Sequence, residues 1–169
     1  MLARVDFSKL TLMDALDLAI LIEIEALQRY TLFAQQIGRR FSSDTGSVFQ
    51  SMADNEKTHR DQLVERRLAL FGDKPPIVKL DDIFDVEAPD VGAPRRNMSQ
   101  LKAFQLALAS EKKAFAFYDE ALPSVKQPDV KALFEELRDE EVEHIHMIET
   151  IIAKLPPSAA IDLEDEDAE

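Results

Sequence analysis

The sequence has no cysteine and no tryptophan. The missing cysteine excludes disulfides, thiolate metal sites, cysteine-ligated iron–sulfur clusters and a cysteine nucleophile. Glycine occurs four times in 169 residues and tyrosine twice, too few for a turn-rich β fold. No apolar run reaches the length of a membrane span. The closest, Leu16 to Leu27, is interrupted by Asp17, Glu23 and Glu25. Met1 to Leu10 lacks the apolar stretch and small-residue cleavage site of a secretory signal, so the default expectation is a cytoplasmic protein without a membrane partner. Basic residues number 20 against 33 acidic ones, for a net charge of −13. Such a balance offers no basic face to replace the counterions of a nucleic acid.

Hydrophobic residues make up 46% of the chain, enough for a packed core and too many for a disordered chain. The length suits one domain, expected over residues 1–157. Residues 158–169 form an acidic tail. Its last eight residues, Asp162 to Glu169, hold six carboxylates and no basic residue. That stretch has too little apolar surface to order itself, so it is expected to be solvated and mobile.

Apolar periodicity marks four helices. The first is expected from Leu12 to Ile37, capped by Thr11 with Asp14 and ended by Gly38, with a face of Leu16, Ala19, Ile20, Ala26, Leu27, Phe33, Ala34 and Ile37. The second is expected from Ser47 to Phe71, after a turn at Ser42 to Gly46. Its face carries Val48, Phe49, Met52, Leu63 and Leu70, and Gly72 with Pro75–Pro76 stops it. The third starts near Met98, with Asn97 as candidate cap, and runs to about Leu122. The fourth opens at Pro128, a favoured first-turn position, and runs to about Leu155.

The links decide how these helices pack. The first two helices, and the last two, are joined by short links that make antiparallel neighbours. Between the pairs lies a long segment, residues 72–97, rich in proline and glycine. It is long enough to run the length of a bundle, so helix 3 can start at the end where helix 2 starts. The expected fold is therefore all-α: two antiparallel helical hairpins joined by a long crossover, the ferritin-like four-helix topology. Ile83, Phe84 and Val86 are expected to pin the crossover to the bundle.

Carboxylates interrupt the apolar faces at matching places. Glu23 lies on the face of helix 1 and is followed seven residues later by Tyr30; Glu111 lies on the face of helix 3 and is followed seven residues later by Tyr118. Helix 2 carries Glu56 and His59 as E-x-x-H, and helix 4 carries Glu141 and His144 in the same spacing, so each pair shares one helix face. Phe49 and Phe134 each precede their glutamate by seven residues. Each half thus reads E-x6-Y, then F-x6-E-x2-H, which points to duplication of a helical hairpin.

A single E-x-x-H in a charged helix is ordinary solvated surface. Four helices supplying Glu, Glu-x-x-His, Glu and Glu-x-x-His in order, each in phase with its apolar stripe, match the inward-facing ligands of a di-metal bundle. Four carboxylates converging in a core are costly unless protonated or paired. Two divalent cations neutralise them, and the oxygen-rich set with two imidazoles suits iron or manganese.

On these residues the chain resembles the ferritin-like superfamily, and most closely the di-iron domain of rubrerythrins, over about residues 10–155. The resemblance implies two iron ions (manganese being the alternative) held by Glu23, Glu56, His59, Glu111, Glu141 and His144. It places Glu56 and His59 mainly on one metal, and Glu141 with His144 on the other or on a bridge. It implies an oxidoreductase that reduces peroxide or dioxygen with Fe(II) or an external electron donor. The same ligand count fits ferroxidases, manganese catalases, di-iron oxygenases and iron-storage proteins without turnover. Two departures stand out. The sequence has no cysteines for the rubredoxin-like unit that rubrerythrins typically add. Where rubrerythrins usually carry a further glutamate in helix 3, the nearby inward positions hold Leu108, Ala114 and Phe115, none of which can ligate, a departure from the rubrerythrin-type peroxidase cycle.

Some neighbours are read as bystanders. Glu143 and His146 overlap the second E-x-x-H but lie about 200° around the helix, on the surface. Glu25 points away from Glu23 on the same arithmetic. Tyr30 and Tyr118 are expected to pack or donate hydrogen bonds behind the metal ligands. Leu18, Leu21 and Ile22 give helix 1 a second apolar face, from which a homodimer or larger assembly is expected.

Overall fold

A computed structural model describes residues 5–37, 43–79 and 98–161. Four long helices account for most of them: α1 Leu12–Gln36, α2 Ser43–Phe71, α3 Gln100–Ala121 and α4 Pro128–Lys154. Short 3-10 turns lie at Phe7–Lys9, Leu122–Ser124 and Pro157–Ala160. The expected crossover contacts of Ile83, Phe84 and Val86, the Gly38 stop, the Asn97 cap and the acidic end of the tail lie outside the described residues. Among the described residues no helix is long and apolar enough to cross a membrane.

The helix ends follow local chemistry. Thr11 and Asp14 form a reciprocal capping box, each side chain accepting from the other's backbone N–H at 3.2 Å. Helix α2 begins at Ser43, four residues before the sequence-based expectation. The polar Ser42–Gly46 run has helix-starting chemistry as well as turn chemistry. Its far end is closed by Gly72 at φ 64, whose N–H donates to the Leu68 carbonyl at 2.9 Å. Helix α3 is capped by Ser99, whose hydroxyl accepts from Lys102 N–H at 3.1 Å. Gln100 reaches across instead, donating to the buried hydroxyl of Thr45 near the start of α2. That bond ties the first turns of α2 and α3 together at one end of the bundle.

Two apolar clusters fix the helix directions. One gathers Leu16, Ala19, Leu63, Phe117, Tyr118, Phe134 and Leu137. The other gathers Tyr30, Phe33, Phe49, Met52, Phe104 and Ile148. Along α1 and α4 the numbering passes from the first cluster to the second; along α2 and α3 it passes from the second to the first. So α1 runs antiparallel to α2, α3 runs antiparallel to α4, and α2 and α3 run the same way. Two parallel helices joined in sequence need a connection as long as the bundle, as expected of a ferritin-like topology.

The second cluster is a stack of rings. Phe49 lies between Phe33 and Phe104, with ring centroids 4.9 and 4.8 Å away. The first cluster instead packs edge-on: Tyr118 meets Phe134 at 5.3 Å and 66°. The duplicated F-x6-E spacing thus places Phe49 beside Tyr30 and Phe134 beside Tyr118.

Outside these clusters α1 and α2 are clamped by an ion pair. Arg67 donates to both carboxylate oxygens of Asp17, at 2.8 and 3.1 Å, and also to the carbonyls of Gly72 and Lys74. Both side chains are buried. The clamp fixes the end of α2 and the chain leaving it against the first turns of α1.

Several face assignments change. Leu18 and Ile22 are buried within the chain, in the first cluster, so two of the three residues suggesting a dimer face already have their cover. Leu70 is 54% exposed rather than inward. On α3 the inward aromatic is Phe117, with Phe115 only half-buried. Helical drift over several turns explains Leu70, because a face read as strictly periodic moves off the core near a helix end. The fully buried Phe49 carries the sharpest stability expectation: Phe49→Ala leaves a void between two rings and lowers stability by about 3–5 kcal/mol, read from the urea midpoint.

Candidate metal centre

Between the two apolar clusters lies a layer of carboxylates. Glu23 from α1, Glu56 from α2, Glu111 from α3 and Glu141 from α4 are each at most 6% exposed. His144 is buried beside them, and His59 is partly open, with 21% of its side chain exposed. The structure therefore brings all six sequence-predicted ligands into one layer. Glu143 and His146 are exposed and outside it, as expected.

The two histidine rings lie nearly parallel, 9° apart with centroids 5.4 Å from each other, and each turns Nδ1 to the carboxylates. Around His144 Nδ1 are Glu111 Oε2 at 3.4 Å, Glu56 Oε1 at 3.5 Å and Glu141 Oε2 at 3.8 Å. Around His59 Nδ1 are Glu140 Oε2 at 3.8 Å, Glu23 Oε2 at 3.9 Å and Glu56 Oε2 at 4.0 Å. Two ligand groups result, Glu56–Glu111–His144 and Glu23–His59–Glu140, each with donor atoms within 4.8 Å of one another. Glu56 presents one oxygen to each histidine, Oε2 to His59 and Oε1 to His144.

Glu140 was not among the expected ligands. It lies one residue, about 100°, from Glu141. A signal was present, because Glu140 follows Leu133 by seven and Leu137 by three on the stripe leading to His144. In a run reading Glu-Glu-Val-Glu that signal is hidden among solvated acids.

Burial shapes the protonation of this layer. Desolvation pushes the carboxyls of Glu23 and Glu141 well above the usual range; the Glu56 carboxyl beside Glu23 pushes the same way. Glu140 is raised too, again first by burial. Burial disfavours the charged form of His144, but the carboxylates of Glu111, Glu141 and Glu56 overcome this and push it up to about 11. Without a cation the layer holds its charge down by keeping protons.

Hydrogen bonding in the layer is also incomplete. Glu23 Oε2, His59 Nδ1 and Glu141 Oε2 are buried without a hydrogen-bond partner. Native interiors rarely leave such atoms unsatisfied. Oxygen donors from four helices, two imidazole nitrogens and no sulfur form a set suited to a pair of cations such as iron or manganese. Behind the layer, the Tyr30 hydroxyl donates to Glu111 Oε1 and so holds that carboxylate in place. Tyr118 is fully buried against Phe117 and Phe134.

A family model for the ferritin-like domain matches residues 13–157. The chain belongs to the ferritin-like family. Among solved structures, this ferritin-like chain is similar to an uncharacterised conserved protein from Magnetospirillum magnetotacticum MS-1. The two are 29% identical, with a TM-score of 0.72 over 87% of this chain and 97% of that one. No curated protein matches it.

The raised groups set a pH dependence for the metal-free protein. Above pH 4.5 the unfolded chain has released its glutamate protons while Glu23 and Glu141 in the fold retain theirs, so stability falls as pH rises. His144 acts in the same direction: its stabilising contribution is complete below 6.5 and is lost as pH climbs through about 11. With chelator present, the melting temperature is expected to be lower at pH 8 than at pH 5. Glu23→Gln should flatten that slope, as read by circular dichroism.

Proposed function

We propose that this protein is a carboxylate-bridged di-iron oxidoreductase of the rubrerythrin kind, which reduces peroxide or dioxygen using Fe(II) or an external electron donor. The observation that carries the reading is the position of Glu56, whose two oxygens face His144 and His59 from the middle of a buried ligand layer. Glu23, Glu56, His59, Glu111, Glu141 and His144 hold the metals in this reading. Bound iron supplies one-electron redox chemistry and open coordination positions for oxygen species.

The chain's own residues do the remaining tasks. Glu23 and Glu141 release the protons that burial lets them keep, so metal uptake is accompanied by proton release. Tyr30 holds Glu111 in one orientation. The ring stack at Phe33, Phe49 and Phe104 and the edge-packed rings at Phe117, Tyr118 and Phe134 close the layer from both ends of the bundle. At the helix 3 positions where rubrerythrins carry a further glutamate, Ala114 is buried, and Leu108 and Phe115 are half-buried. None can ligate, so the proposed cycle proceeds without a ligand shift from α3.

Anaerobic addition of Fe(II) to the metal-free protein, followed by peroxide or oxygen, tests the reading. Two irons per chain and repeated oxidation in the presence of a reductant are expected. A single stoichiometric oxidation with iron retained points to storage, and no spectral change with either oxidant removes the redox reading. Glu56→Ala and Glu141→Ala are expected to lose at least one ion per chain by elemental analysis, while Glu143→Ala keeps both. Anomalous scattering at the iron and manganese edges identifies the metal.

A further inference from the structure

The two halves of the ligand layer are not equally open. On the His144 side the carboxylates of Glu56, Glu111 and Glu141 have at most 7% of their side chains exposed, and His144 itself 11%. On the His59 side, His59 is 21% exposed and Glu140 33%. Directly outside lies a cleft of about 60 Å³ between α2 and α4, with His59 and Glu140 on its wall and Gln62, Arg66 and Glu136 around them. One water needs about 10–15 Å³, so the cleft has room for several waters or a hydrated cation. His144 does not line it.

The interior of this opening is unsatisfied. Glu23 Oε2, on a side chain 4% exposed, has no hydrogen-bond partner and faces His59 Nδ1, which has none either. Glu140 completes that group from the solvent side. Deeper in, Glu56 presents one oxygen to His59 and the other to His144. Glu140, one-third exposed, then His59 and Glu23 behind it, and then the two-faced Glu56 form one continuous line of oxygen and nitrogen donors.

We propose that Glu140 is a metal ligand on the His59 side and the carboxylate that receives cations from solvent, and that Glu56 passes the first ion inward to the His144 side. Loading is therefore ordered: the inner position fills through the outer one. The proposal rests on the di-metal reading above and adds to it a ligand, a route and a direction. The rim chemistry agrees. Arg66, the cation at the mouth, is held 3.5 Å from Glu136, which offsets its repulsion of an incoming ion.

Stopped-flow binding of Co(II) to the metal-free full chain, followed by visible absorbance and with stoichiometry from elemental analysis, tests this. Wild type is expected to take two ions in two phases. Glu140→Gln, which keeps the shape and removes the charge, should slow both phases about tenfold or more and weaken one site. Glu143→Gln, exposed on the same helix, should load like wild type. Arg66→Glu, at the exposed rim, leaves the ligands intact and should speed loading several-fold. A wild type that takes two ions, with Glu140→Gln taking them at the same rates and affinities, overturns this proposal alone. So does an Arg66→Glu variant with unchanged rates, which decides the question even if Glu140→Gln fails to fold. A wild type that binds no Co(II), Fe(II) or Mn(II) overturns the di-metal reading and this proposal with it.

Discussion

Four glutamate side chains meet in one buried layer, and the rest of the structure answers to that. Taking a carboxylate out of water costs several kcal/mol even after the surroundings relax, and here four are placed within reach of one another. The protein tolerates this by raising the carboxyls of Glu23 and Glu141 and charging His144, and by donating from Tyr30 to Glu111. Three buried atoms still go without a partner. A pair of cations would satisfy these atoms and remove the need for the protons, and the buried glutamate and histidine groups of the layer could hold one.

Holding the layer requires rigid walls, and the pattern repeated in each hairpin supplies them twice. Each hairpin contributes a glutamate, a tyrosine two turns on, and a phenylalanine two turns before its E-x-x-H. In the bundle these become two aromatic plugs, one at each end of the carboxylate layer. The symmetry is not complete. The Phe33–Phe49–Phe104 plug stacks face to face, while in the other plug Tyr118 packs edge-on against Phe117 and Phe134. The Asp17–Arg67 clamp belongs to the first hairpin, and the opening beside Glu140 lies on the His59 side. Two copies of one motif have come to enclose two inequivalent positions.

Membership of the ferritin-like family accounts for the bundle, but a fold hosts many chemistries. The functional reading rests instead on donor types and their placement: oxygen and imidazole donors, no sulfur, and a carboxylate with one oxygen toward each of two stacked histidines.

The amino-acid sequence by itself determined the four helices, their ferritin-like order and the six side chains that meet in the layer. Each depends on local periodicity: residues three, four or seven apart share a helix face wherever the helix is placed. Thr11 with Asp14, Gly72 and Pro128 announced their helix ends for the same reason. Only the tertiary structure decided what depends on where one helix stands against another. It turned Leu18 and Ile22 inward, paired Asp17 with Arg67 across 50 residues, and divided the oxygens of Glu56 between two histidines. It also brought Glu140 to His59. A single helix read alone presents Glu140 as one more solvated acid; a neighbouring helix about one side chain away makes it part of a site.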